Sequence, residues 1–213
     1  MLLPGDPGRA LRLAQALLHE PKMLNHNRGL WGYTGTAADD EPLSIQSTGM
    51  GGPAASIVVS ELVELGARRL LRVGTCGGLD PGLAVGGLVI AREAICDDGT
   101  SRALGAGERA APAPALLEAL LSAADGAAVE GPIVSTDLYY DAGDRESGWI
   151  AAGAIAVEME TATLFTLAAR RGVEAGCGLL VSNMLVGERT QIGVEELHAA
   201  ELRLGELAIA ALR

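Results

Sequence analysis

Five short stretches of this 213-residue chain carry side chains that can do chemistry. LLRVGTCGG (residues 70–78) sets Arg72 inside an apolar run, with the Thr75 hydroxyl and three glycines beyond it. A guanidinium is costly in such a strand unless an anion meets it. That anion is either a bound oxyanion or a carboxylate of the protein itself. PGDPGR (4–9) combines Gly5 for close backbone approach, the helix-starting pair Asp6 and Pro7, and Arg9 beside free N–H groups. An ordinary capped helix with a surface arginine has the same signature.

AVEMETAT (156–163) places Glu158 and Glu160 on either side of Met159, between an apolar strand and an apolar helix. A carboxylate there complements a helix dipole, or accepts hydrogen bonds from two vicinal hydroxyls, as a ribose requires. STDLYYD (135–141) brings Tyr139 and Tyr140 together in a chain with two tryptophans, three tyrosines and one phenylalanine. One ring could stack on a base, although an isolated aromatic more often packs in a core or interface. VSN (181–183) ends a strand on Ser182 and Asn183, either ligand contacts or a turn.

Positioning these groups falls to alternating apolar runs and helix-period segments. The pattern predicts a strand stub at the N-terminus, a helix from Asp6–Pro7, strands at 30–36 and 42–48, and a helix from Pro53 to Gly66. Strands at 68–74 and 85–93 follow, and 94–114 has no clear assignment. A helix at 115–123, a strand at 131–136, a short helix at 145–152, a strand at 154–157, a helix at 160–171, a strand at 176–183 and a helix at 193–212 complete the series. This is an α/β chain forming one domain over 1–213: a three-layer sandwich with a mixed, mostly parallel sheet flanked by helices. In such sheets chemistry gathers at the carboxyl ends of the strands.

Composition narrows the partners. A net charge of −11 argues against nucleic acid, which needs a basic footprint. Cys76, Cys96 and Cys177 are odd in number and widely spaced, so neither a disulfide framework nor a zinc site is expected. The three histidines show no metal-ligand spacing. With no apolar run of membrane-spanning length and an N-terminus too short and acidic for a signal peptide, the reading is a cytoplasmic protein.

Taken in order, PGDPGRA, RGLWGYTGT, TGMGGPAASI, LRVGTCGG, STDLYYD and VEMETATLF resemble the blocks of the nucleoside phosphorylases of the hexameric purine and uridine type. The resemblance covers nearly the whole chain. It implies phosphorolysis of a nucleoside to free base and pentose 1-phosphate, with no cofactor and with inorganic phosphate as co-substrate. Gly5, Arg9, Arg72 and Thr75 would hold the phosphate. Arg28 would reach the phosphate of a neighbouring subunit in a homodimer or homohexamer. Glu158, Met159 and Glu160 would hold the ribose, while Tyr139, Arg145, Ser182 and Asn183 would face the base. Arg72 and Asn183 are the implied catalytic side chains.

Three departures from the family pattern set further expectations. No counterpart of the histidine that the family donates to the 5′ hydroxyl precedes the first block, and His26 is the candidate to replace it. Asn183 stands where adenosine-accepting enzymes carry an aspartic acid. An amide can hydrogen-bond N7 and a 6-oxo group but cannot protonate N7, which favours 6-oxopurine nucleosides. Gly143 falls where the uridine enzymes carry a glutamine, although Arg145 matches their arginine and two other blocks lean towards them. Uridine phosphorolysis is therefore the second reading. A hydrolytic nucleosidase of the same fold and a catalytically impaired nucleoside-binding protein are the remaining alternatives. Retention of Arg9, Arg28 and Arg72 together favours a phosphate-using enzyme over the hydrolase.

Overall fold

The structure is a computed structural model that describes residues 1–140 and 145–213. The chain opens with β1 (Leu2–Leu3), turns at Pro4 and enters α1 (Pro7–Leu17). The Asp6 side chain caps that helix by accepting the Arg9 N–H at 2.6 Å, and Pro7 occupies the first turn, where its missing N–H costs nothing. β2 (His19–Asn25) follows, then a 3-10 turn over Asn27–Gly29, β3 (Gly32–Thr36), β4 (Pro42–Gln46) and α2 (Gly51–Glu64). β5 (Arg69–Gly78) and β6 (Leu88–Asp97) precede α3 (Gly99–Ala103), β7 (Arg109–Ala110) and α4 (Pro114–Ala124). The chain ends with β8 (Ala128–Thr136), α5 (Arg145–Ala151), β9 (Ala156–Glu158), α6 (Thr161–Arg171), β10 (Glu174–Met184) and α7 (Val194–Ala211).

The departures from the sequence pattern have local causes. β5 continues four residues beyond the expected end because Gly77 and Gly78 pair with Val157 and Ala156 of β9, so those glycines are strand rather than loop. α2 starts at Gly51 rather than at Pro53. β2, which the pattern omitted, is a polar, exposed edge strand containing Pro21, a place where proline is tolerated. The unassigned segment 94–114 holds the end of β6, α3 capped by Asp98, and β7.

The strands form one ten-stranded sheet in the order β10-β6-β8-β9-β5-β1-β4-β3-β2, with β7 on β6. β10 also pairs with β5, so β5, β9, β8, β6 and β10 close into a ring from which β1, β4, β3 and β2 extend. The sheet is mixed, and its two longest ladders, β5–β10 and β6–β8, are parallel. Helices cover both faces. Leu70 and Cys76 of β5 join the core built with α2 and α6, while Leu71 and Val73 join the core built with α1, α4 and α7. Glycines in β10 permit this closeness: a Cβ at Gly176 would stand 2.6 Å from Leu71 Cδ2, and one at Gly178 would stand 2.9 Å from Leu204 Cδ1. No helix among the described residues is long and apolar enough to cross a membrane.

Candidate active site

A single cavity of about 740 Å3 is lined by all twelve residues singled out from the sequence, from Gly5 to Asn183. The strand order explains their convergence. Tyr139 and Arg145 follow β8; Glu158 ends β9, with Met159 and Glu160 next; Arg72 and Thr75 lie on β5; Gly5 and Arg9 follow β1. Because β8, β9, β5 and β1 are successive neighbours in the sheet, the expected base, ribose and phosphate contacts lie in a row. Ser182 and Asn183 arrive from β10, which pairs directly with β5.

Both sequence readings of Arg72 have a counterpart. Its Nε donates to Glu158 Oε2 at 2.9 Å and its Nη2 pairs with Glu160 Oε2, so two nitrogens meet carboxylates of the protein. Nη1 is buried and has no hydrogen-bond partner among the described residues. Leaving a buried donor unmet costs about 1–3 kcal/mol, so this nitrogen marks a place for an acceptor. The Gly5 backbone lies against it: a Cβ at Gly5 would stand 3.9 Å from Nη1 and 3.3 Å from Gly49 O. Burial works against the guanidinium charge, but Glu160 and Glu158 outweigh it and hold the pKa above its ordinary value.

The two carboxylates differ in what they hold. Glu158 accepts from Arg72 Nε, from the Ser135 hydroxyl, and from the backbone N–H groups of Glu160 and Thr161 at 2.9 and 3.0 Å. It therefore satisfies orphan donors at the start of α6, and both of its oxygens are engaged by the protein. Glu160 accepts the Gly51 N–H at the start of α2 at 2.5 Å, so two helix N-termini meet at this pair. Burial raises the Glu160 pKa; Arg72 pulls it back and Glu158 adds to the rise, with a net upward shift.

Arg9 sits in the first turn of α1. Its Nε donates to Glu201 Oε1 at 2.7 Å and its Nη1 to Val73 O at 3.4 Å. Nη2 makes no protein hydrogen bond among the described residues, so Arg9 and Arg72 each bring one such nitrogen to the same cavity. Arg28 is exposed, has a left-handed backbone (φ 55°), and lines the cavity of its own chain.

The opposite end is more open. Tyr139 and Tyr140 are 73% and 92% exposed, with their rings edge to face at 4.9 Å. Arg145 donates to Asp97 Oδ2 at 2.5 Å and to Thr136 Oγ1 at 3.3 Å, and lies 5.4 Å from the Trp149 ring centre. A register shift between Val181 and Asn183 re-aims the end of β10. There Ser182 Oγ donates to Asn183 Oδ1 at 3.0 Å, which leaves the Asn183 amide N–H groups as donors. Gly143 lies outside the described residues.

Sequence reasoning missed the supports. Asp97 and Trp149 brace Arg145, Ser135 braces Glu158, and Glu201 braces Arg9. Glu201 had a signal: it falls on the same face of α7 as Ala200, Leu204 and Ala208, where a carboxylate needs a partner. The three cysteines are free and buried, and burial holds Cys177 at about 12, which keeps it a thiol at neutral pH. Among the described residues no group of three or more His, Cys, Asp and Glu side chains has the arrangement to hold a metal ion.

Comparison with known proteins adds independent findings. A family model described as the phosphorylase superfamily matches residues 1–213. The chain is 43% identical over 201 residues to a purine nucleoside phosphorylase DeoD-type of Caldanaerobacter subterraneus subsp. tengcongensis, covering 89% of this chain and 85% of the relative. It is 40% identical over 219 residues to a purine nucleoside phosphorylase DeoD-type of Thermoanaerobacter sp., covering 98% and 92%. It is also 38% identical over 216 residues to a uridine phosphorylase of Treponema pallidum, covering 93% and 81%.

Proposed function

The chain belongs to the phosphorylase superfamily, and on that premise we propose that it catalyses reversible phosphorolysis of a nucleoside, with 6-oxopurine ribonucleosides as the preferred class. The observation that carries this reading is Arg72 Nη1, buried beside Gly5 with no acceptor among the described residues, in a cavity that Arg9 also lines. An oxyanion satisfies that donor. A nucleosidase activating water has no use for such a cationic seat.

The chemistry follows from the row of contacts. Phosphate held by Arg9, Arg72, the Gly5 backbone and Thr75 sits below the sugar. Met159 packs against the ribose, and Glu160 accepts its 2′ and 3′ hydroxyls by sharing the carboxylate now held by Arg72 and Gly51. As the bond to the base lengthens, C1′ gains oxocarbenium character and the phosphate dianion both stabilises it and attacks from the opposite face. Glu158 acts beneath the ribose by fixing Arg72 and the start of α6. Positioning supplies much of the rate, since the cavity brings two reactants and their contacts into register.

At the base end, the Asn183 amide offers N–H donors, and donors suit carbonyl oxygens and N7 rather than an exocyclic amine. Inosine and guanosine fit this set. Uridine is the second reading, favoured by Arg145 on the cavity wall and by the uridine phosphorylase relative. The deciding experiment incubates the protein with inosine, guanosine, adenosine, uridine and thymidine, with and without phosphate, and identifies the released base and sugar. Ribose 1-phosphate and hypoxanthine or guanine, formed only with phosphate, are expected. Free ribose without phosphate would overturn the proposal.

A homodimer or larger homo-oligomer belongs to the same proposal. Met50, Leu138, Tyr139 and Tyr140 make an exposed, largely apolar rim on the cavity that a second copy would cover. Because Arg28 stands on its own cavity's wall, the shared-site form needs its own test. Mixing an inactive Arg28→Ala protein with an inactive Arg72→Ala protein should restore activity if Arg28 crosses between subunits, and should restore none if it serves its own chain.

A further inference from the structure

We infer that Glu201, a residue of the last helix, is a positioning residue for the anion seat. It is buried, with a side chain only 3% exposed, and bridges two arginines one helical turn apart. Oε1 accepts Arg9 Nε at 2.7 Å, while Oε2 accepts Arg12 Nε at 3.1 Å and Nη2 at 2.7 Å. Arg12 is outside the cavity lining, is partly exposed, and lies 3.7 Å from Asp6.

The geometry separates a positioning role from plain neutralisation. Five N–H bonds of a guanidinium lie in one plane, so fixing the Nε edge and one terminal nitrogen fixes the direction of the other. Glu201 takes Nε, and the Val73 carbonyl takes Nη1 on the strand that carries Arg72. Nη2 is then the edge that remains for a ligand. Without Glu201, Arg9 keeps one hydrogen bond at 3.4 Å and a long side chain free to rotate away from the seat. The oxygen on Arg12 holds the carboxylate itself still, so the brace runs from α7 through Glu201 to both arginines of α1.

This inference rests on the phosphorolysis reading, and the order of measurement separates the two. The wild-type rate is first measured against phosphate concentration at saturating inosine. A rate independent of phosphate would sink the reading itself. Where the wild type saturates with phosphate, Glu201→Gln is expected to raise the phosphate KM about tenfold or more, leaving the nucleoside KM within about twofold. Glu201→Asp should recover part of that loss, and Arg12→Ala should change the phosphate KM by less than about threefold.

Unchanged phosphate KM in a folded Glu201→Gln protein would overturn the inference. So would parallel rises in both KM values, or an Arg12→Ala effect as large as that of Glu201→Gln. Failure of both Glu201 variants to fold would make the residue a structural ion pair and equally overturn it.

Discussion

The two ends of the cavity are built in different ways. At the anion end, Arg72 and Arg9 are nearly buried and each is braced by a buried carboxylate: Glu158 and Glu160 for Arg72, Glu201 for Arg9. Those carboxylates belong to β9, the start of α6, and α7, so three elements share one electrostatic frame with β5 and α1. At the base end, Tyr139 and Tyr140 stand largely in solvent, and Arg145 sits at the first turn of a seven-residue helix. Under the proposed phosphorolysis, the frame that would meet the charged reactant is braced by three carboxylates, whereas the surface that would meet the base is open and can change residue by residue. Substitutions should therefore cost much at the first end and redirect preference at the second.

The largest effect is expected for Arg72→Ala. It removes the unmet donor and leaves Glu158 and Glu160 buried without their cation. Loss of such an electrostatic contact lowers kcat/KM by about 10²–10³-fold, and breaking a buried pair costs about 3–5 kcal/mol of stability. Steady-state kinetics and a thermal melt check both parts. A folded Arg72→Ala protein with near-normal phosphate KM would erase the contrast between the two ends.

Glu160 sharpens it through pH. Its pKa lies above the ordinary carboxylate range because of burial, and only the ionised form accepts two hydroxyls. The kcat/KM profile should fall on the acid side at a pH above that range, and Glu160→Gln should lose the limb along with about a hundredfold of activity. A raised acid pKa also means that the folded state holds this proton more tightly than the unfolded chain. Its contribution to stability is thus present below the ordinary carboxylate value and is lost as pH rises through the shifted one. An acid limb that persists in Glu160→Gln would assign it to another group.

Asn183→Asp tests the open end. An aspartic acid can supply the proton that an amide cannot, so adenosine turnover should rise about tenfold relative to inosine while the phosphate KM stays put. The smallest effect is expected for Tyr139→Ala, which should raise the nucleoside KM about three- to tenfold, in line with about 0.5–1.5 kcal/mol for a ring contact. A larger loss than that of Arg72→Ala would reverse the ranking of the two ends.

The sequence displayed most of the frame but little of its bracing. Helix starts were legible where caps are local, as at Asp6–Pro7, and buried strands where apolar runs are continuous, as at 68–74 and 176–183. β2 was not, because a solvent-exposed edge strand reading HEPKMLN has no face to alternate against. The first-contact residues were legible because a polar group ending an apolar strand breaks a local pattern. Asp97 was not, since it resembles an ordinary charged residue until the fold brings Arg145 against it from 48 positions away, and Glu201 showed only as a carboxylate on the apolar face of α7, with nothing to point to Arg9 192 positions earlier. Closure of the strand ring was likewise invisible, as it depends on β10 pairing with two strands at once.

That last pairing carries a consequence for how the protein is made. β10 follows every other described strand along the chain, and until it emerges from the ribosome, β5 and β6 expose unpaired edges while the cavity lacks Ser182 and Asn183. Open edges of this kind invite intermolecular pairing, and contacts this distant in sequence form slowly. A message truncated before residue 174 should therefore yield aggregates in place of a weak enzyme, and the nascent chain should depend on chaperone protection until Glu174–Met184 has emerged.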